Sequence, residues 1–421
     1  MTYTADGTPA PDAPAVDDAI AAPVIADAAT PPAAEHASPV EGVSPAGRGP
    51  AAERAPRWLE SFVTVVGPIL LGLTAGGILL LLTGRNPLSF YGDILGRGLL
   101  SSDGVQDSLT RMAPLLLMAA GLIVAFRANI WNIGGDGQFL MAAALVAGFG
   151  PAVTAALPGG PGLVLLCLIG AAMGGFWTIV PSTLKAFYGV NEVITSLMMT
   201  FVGVNLANLL IKGPFRSTTT SVPQTDVTPK ANLLPYIPGT HVHVGIIVAF
   251  VAILAVHYLL TRTAFGLRLS VLGASPRAAA HVGIEVRRLI IVTFFISGAF
   301  MGLAAAVEIL GVWGYVRADW NPNFGLTLFA LVFLARLNAL ACIPLVGFYA
   351  VVSIGGHFAA RRAGLPDDFM LMVVGLILLS MALTEFVVAR RARRPWRFDP
   401  RRLDPSQTAH AAGSTGTAGD G

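Results

Sequence analysis

Charge is scarce in this chain of 421 residues. Asp, Glu, Lys and Arg make up 12% of it against 54% hydrophobic residues, roughly half the charged share of an ordinary soluble domain, which excludes a conventional water-exposed globule. Between Gly137 and Leu184 no charged residue occurs at all. Cysteine is nearly absent: Cys167 and Cys342 lie far apart in apolar runs, so neither a structural disulfide nor a thiolate metal site is expected. No G-x-x-x-x-G-K-[ST] motif occurs, so this chain has no P-loop to cradle nucleotide phosphates. A Gly-x-Ser-x-Gly elbow is also missing, and the seven histidines show no metal-ligand spacing. His241 and His243 read as interfacial residues at a loop end. Hence no catalytic set, metal or cofactor is expected. A basic leader is lacking too: seven acidic residues and no Lys or Arg precede Arg48, which is not a signal peptide. Residues 1–56 are expected to form a disordered cytoplasmic tail.

Long apolar runs are what the chain has instead, and a span needs about 20 such residues. Ten candidates follow: Phe62–Leu82, Met112–Phe126, Gln138–Leu157, Gly162–Leu184, Asn191–Ile211, Val242–Thr261, Leu289–Leu310, Phe324–Ala335, Leu340–Phe358 and Phe369–Ala389. The expected fold is an all-α polytopic membrane protein, with a transmembrane domain over 57–390 and a basic, then disordered, cytoplasmic tail over 391–421. Arginine fixes the expected orientation. Arg48, Arg54 and Arg57 precede the first span, five arginines face the single Glu285 within 262–288, and seven crowd between Arg390 and Arg402. These ends read as cytoplasmic, and the proline-rich loop Lys212–His241 as external. Because the last cluster directly follows a span, nucleic-acid binding is not expected.

One polar, glycine-dense stretch interrupts the apolar region: Asn129, Trp131, Asn132, Gly134, Gly135, Asp136, Gly137 and Gln138 fall within 127–138. At membrane depth such backbone must be buried in protein or line water. A broken helix lining a passage is one reading, and a surface turn whose Asn and Asp cap the next helix is the other. Ionisable groups near spans are few: Asp136, Glu192, Glu308, Arg336 and Glu385. Each costs at least about 2.5–3.5 kcal/mol at mid-bilayer, so each suggests a role. Asn191 with Glu192 reads first as an N-cap with an acidic first turn, and Trp131 reads as an interfacial anchor or as a ring facing solute. The small residues Gly170, Ala171, Ala172, Gly174 and Gly175 suggest close helix packing.

These residues carry a resemblance. Asn132 to Gln138 resembles the NIG-acid-GQ signature of ABC-importer permeases of the branched-chain amino acid and sugar type, in their nucleoside branch, with Asp136 where Glu is common. Asn191 to Met199 resembles that branch's NEVI-x-x-x-M segment. Residues 262–288, with Gly266, Arg268, Gly273, Ala278, Ala279 and Gly283, resemble its ATPase-coupling segment, although Arg277 stands where many members have an acid.

The resemblance implies a permease subunit of an ATP-driven importer of nucleosides or sugar-like solutes in a bacterial plasma membrane. Its partners would be a second permease, a cytoplasmic ABC ATPase, an extracytoplasmic solute-binding protein and the bilayer. Asn129, Trp131, Asn132, Gly134, Gly135, Asp136, Gln138, Asn191 and Glu192 would line the passage. The alternative is an ion-coupled secondary transporter of a small polar solute, which can also use broken helices.

Overall fold

The structure is a computed structural model that describes residues 57–366, and 369, 372, 373, 375, 376, 379, 380, 383 and 384. The tenth expected span, Glu385 and both tails therefore lie wholly or largely outside the described residues.

Thirteen α-helices run through those residues, and among them no strand forms. Seven stretches are long and apolar enough to cross a membrane: Ser102–Arg127 (α3), Gly135–Ala156 (α4), Gly160–Tyr188, Glu192–Lys212 (α7), Gly245–Arg262 (α8), Val286–Trp313 and Ala339–Arg362 (α13). The protein is thus an all-α, multi-pass membrane protein. The third stretch is expected to be one span, yet it divides at Thr178 into α5 (Gly160–Trp177) and α6 (Ile179–Tyr188). Pro181 lies in the first turn of α6, where its missing N–H is tolerated. The helices α1 (Arg57–Leu82) and α2 (Pro87–Leu95) precede this set; α9 (Ala264–Ala274) and α10 (Pro276–His281) separate α8 from α11 (Val286–Glu308). Phe324–Leu334 (α12) is too short to cross alone.

Local chemistry sets the helix starts. Side-chain oxygens of Asn86, Ser101, Asn191, Thr263, Ser275 and Asn338 accept backbone N–H bonds at the starts of α2, α3, α7, α9, α10 and α13. Gly189, at φ +65°, ends α6 in the left-handed conformation that favours glycine.

α3 is the central post, buried along nearly all its apolar length by α8, α11, α12 and α13. It begins at Ser102, well before the expected Met112: Ser101 caps its start, Asp103 and Asp107 stay exposed, and Arg111 pairs with Glu308 of α11, Nη1 to Oε1 being 3.5 Å. A second, smaller core joins Leu80, Phe90 and Ile94 to Val352, Ala359 and Ala360.

The tightest helix pair is α5 with α11. Gly170 and Gly174 face Gly298 and Gly302 so closely that a Cβ on any of the four would meet backbone of the other helix. The expectation of close packing in α5 therefore holds, and it has a matching small-residue stripe on α11. Gly302→Val is expected to cost at least about 1–3 kcal/mol, since backbone cannot move aside as a side chain can. A wild-type melting profile of that variant in detergent would contradict the packing.

Two ends can be told apart. Gly213 to Val244 forms one end, and its backbone is hydrogen-bonded to the strip after α11: Thr225 N donates to Val316 O, Thr228 N to Gly314 O and Leu234 N to Leu310 O. α9 and α10 form the other end.

Candidate functional site

The polar stretch is neither one broken helix nor a surface turn. α3 reaches the α9 end at Arg127, and the chain then reverses at Asn129, whose φ is +54°. A non-helical segment climbs back inside the bundle before α4 starts at Gly135. There Gly135 lies beside Met301, about four turns into α11.

Backbone left without helical partners at such depth needs other ones. Asn132 supplies several. Its Nδ2 donates to Gln138 Oε1 (3.1 Å) and Ser297 Oγ (3.0 Å), while its Oδ1 accepts from Gln138 Nε2 (2.8 Å) and from Gly134 N (3.2 Å). Ile133 N donates to Ser196 Oγ at 3.1 Å. Asn132 and Gln138 are buried, at 0% and 1% exposure. Their amides hold the segment in place, which corrects the expectation that they face a solute.

Gly134 is corrected likewise, and Gly137 beside it is as tightly packed. A Cβ at Gly134 would meet the Gln138 amide at 2.7 Å, and one at Gly137 would meet Thr200 Cα of α7 at 2.7 Å. Both serve packing. Gly135 has no contact that close.

A second interruption meets the first from the opposite direction. After α11 the chain passes Trp320 and enters α12, whose N-cap position, Asn323, makes no side-chain capping bond. Asp136 does this from another helix: its Oδ1 accepts from Gly325 N at 2.7 Å. α4 and α12 therefore point their N-termini at one carboxylate, and each is the positive end of a helix dipole. That is a physical reason for an acid at this depth.

Of the other expected passage residues, Asn129 and Trp131 are exposed. The Trp131 ring packs on Phe126 and Phe333, with centroids 5.5 and 5.3 Å away. Asn191 caps α7 by accepting from Val193 N at 2.9 Å. Glu192 is buried, and its Oε2 lies 2.7 Å from Lys185 Nζ of α6, a pairing that brings this acid to a helix–helix joint rather than to the interruption.

The expected coupling segment folds as two short helices. Ser275 caps α10, Pro276 opens it, and Gly283 at φ +80° follows its end. Gly266 sits where a Cβ would strike backbone of Leu260, and Gly273 sits where one would lie 2.6 Å from Arg127 O. Arg127 Nε donates to Ser270 Oγ at 2.8 Å, so α9 touches the very point at which α3 gives way to the non-helical segment. Arg268 and Ala278 are exposed. Ala279, expected in the coupling segment, is 0% exposed and faces inward; Leu267 and Val282 are the large apolar side chains presented there, at 66% and 69%.

Sequence reasoning missed Ser196, Ser297, Gly325, Lys185 and Ser270. Four of them are ordinary helix residues whose partners lie far away in the chain, and no local signal marks them. Lys185, seven residues before Glu192, was legible as an opposite charge across a Gly turn.

Several membrane-length helices, an interior junction of two helix N-termini and a capped surface segment linked to it define a multi-pass transport subunit. The chain belongs to the family described as branched-chain amino acid transport system permease component, which matches residues 104–382; it is a permease subunit of an ABC transporter. It is 32% identical to the glucose ABC transporter permease protein of Haloferax volcanii over 83% of this chain and 93% of that one. It is 28% identical to a guanosine ABC transporter permease protein of Bacillus subtilis, over 75% and 91%. A nucleoside ABC transporter permease protein of Lactococcus lactis is 25% identical over 76% and 90%.

Proposed function

We propose that this chain carries nucleosides or related sugar-like solutes inward across a bacterial plasma membrane. In this reading ten spans place both termini in the cytoplasm. A cytoplasmic ABC ATPase docks on 262–288, a second permease completes the membrane unit, and an extracytoplasmic binding protein delivers solute at the 213–244 end. The observation that carries it is the contact of Gly273 and Ser270 with Arg127, which ties the segment available to an ATPase to the interior junction at Asp136. Two guanosine permeases of one Bacillus subtilis strain both resemble this chain, which supports a paired arrangement.

Within the junction, half-buried Asp136 with exposed Asn129 and Trp131 faces the passage. Asn132, Gly134, Gly135, Gln138, Asn191 and Glu192 hold its frame. Arg268, Ala278, Leu267 and Val282 present the docking surface, while Gly266, Gly273, Ala279 and Gly283 shape it. ATP-dependent uptake of labelled guanosine or glucose, by membranes holding this chain with its co-purifying ATPase, is the direct test. Uptake that needs an ion gradient and no ATPase would sink the reading.

Orientation has its own check. A cysteine replacing Thr218 or Thr219, both exposed, is expected to react with an impermeant thiol reagent from outside intact cells. One placed after Arg394 should react only after the membrane is opened, and the reverse pattern would invert the topology.

A further inference from the structure

A groove of about 580 Å³ opens where the end of α6 meets the start of α11, beside α10. Its walls are apolar: Phe187 of α6, Ala280 of α10, Ile284 of the link that follows, and Val286, Ile291 and Val292 of α11. Arg287, Arg288 and Glu285 complete the lining. The volume is that of a small-ligand site, for which roughly 300–1,000 Å³ is usual.

Helix lengths set the level of the groove in the membrane. The spans Gly160–Tyr188 and Val286–Trp313 contain 29 and 28 residues. That is roughly 42–44 Å at the α-helical rise, against a hydrocarbon core of about 30 Å. About four residues therefore project at each end. Tyr188 and Val286 are two such ends, so Phe187, Arg287 and Arg288 stand at headgroup level, while Ile291 and Val292 reach the border of the hydrocarbon.

The apolar surface continues inward from there. Val292 and Phe295 of α11 are exposed, as are Phe176 of α5 and Val180 of α6, and Phe176 meets Phe295 edge-on at 6.0 Å. A seam of apolar side chains thus runs from the groove into the membrane, deeper than a soluble partner reaches.

Charge at the mouth is positive. The Arg287 guanidinium lies 5.4 Å from the Phe187 ring centroid, which holds it across the groove, and among the described residues no acid stands within ion-pair distance of it. Glu285 approaches Arg288 alone, Nη1 to Oε2 being 3.9 Å with both side chains exposed, and such a pair contributes little. The mouth lacks an anion, and the seam fits an acyl chain. Basic pockets between membrane helices are a known setting for anionic lipid headgroups.

We propose that this groove binds an anionic phospholipid of the leaflet at the α9–α10 end, with its phosphate on Arg287 and Arg288 and one acyl chain along the seam between α6 and α11. The lipid also meets Ala280, so it braces α10 from the membrane side. The site is independent of which solute is carried.

The test is titration of the detergent-purified permease–ATPase complex with a fluorescent phosphatidylglycerol and with a phosphatidylcholine of the same chains. Phosphatidylglycerol is expected to bind about tenfold or more tighter, the scale set by two arginines at a membrane surface. Arg287→Gln combined with Arg288→Gln should erase that preference and leave phosphatidylcholine binding unchanged; both side chains are exposed, so the fold does not depend on them. Val292→Trp fills the groove without altering charge and should weaken both lipids. Equal wild-type binding of the two lipids, a preference that survives the paired glutamine substitution, or lipid binding indifferent to Val292→Trp overturns the proposal. So does inorganic phosphate that competes as well as the lipid does, which would make the mouth a free-anion site. Loss of the ATPase from the paired variant with lipid binding intact overturns it too, and gives the groove to the ATPase.

Discussion

Asp136→Leu is expected to abolish uptake while the protein still reaches the membrane and still binds its ATPase. Leucine leaves Gly325 N without its acceptor in the interior, a loss of about 1–3 kcal/mol. It also withdraws the negative charge that two helix N-termini share, worth up to about 2 kcal/mol in a partly buried site. Neither loss is large enough to unfold α4, which is packed along its length on α5, α7 and α11. Both fall on the start of α12, which is short and has no capping side chain of its own. Asp136→Asn keeps an oxygen for Gly325 N and loses only the charge, so it should retain an intermediate rate. Uptake is read against the amounts of membrane protein and of retained ATPase. Wild-type transport by the leucine variant at normal expression would show that the junction has no part in the passage.

The second large effect is expected at Gly273. A valine there would drive its Cβ into Arg127 O, at 2.6 Å, and against Ala128 C, at 3.1 Å. Both are backbone atoms at the end of the central post, so α9 must move instead. Gly273→Val should therefore leave the ATPase bound and hydrolysing while uptake falls by an order of magnitude or more, because the docking surface is intact and its link to the junction is displaced. Val282→Glu should do the opposite: a charge on an outward apolar side chain releases the ATPase and leaves the chain folded. If Gly273→Val loses the ATPase, or keeps coupled uptake, the contact with Arg127 transmits nothing.

Much of this was legible in the sequence, for reasons that differ by element. Apolar runs located most of the long helices, because burial in lipid and burial in protein both select the same side chains. Helix ends were less legible. α3 starts some ten residues before its apolar run, since Arg111 is accommodated by Glu308 and Phe324, which lie far along the chain. The polar stretch 127–138 stood out by composition, yet the direction of its side chains did not. Asn132 and Gln138 look like solute-facing amides until their reciprocal bonds are seen, and those depend on a turn that composition does not encode. Ala278 and Ala279 are identical letters, and only the packing of α10 decides which faces inward.

The pairing of Arg111 with Glu308 bears on how the protein is made. The two residues are 197 positions apart, and Asp136 and Gly325 are 189 apart. At about 5–20 residues per second of synthesis, each first partner exists for roughly ten to forty seconds before the second emerges. During that interval an arginine and an aspartate must wait in a partly built bundle, beside the insertion machinery or with water admitted to them. Both bonds are thus completed by the late-arriving α11 and α12, so a nascent chain stalled before residue 308 would hold most of its early helices but neither of these interior bonds.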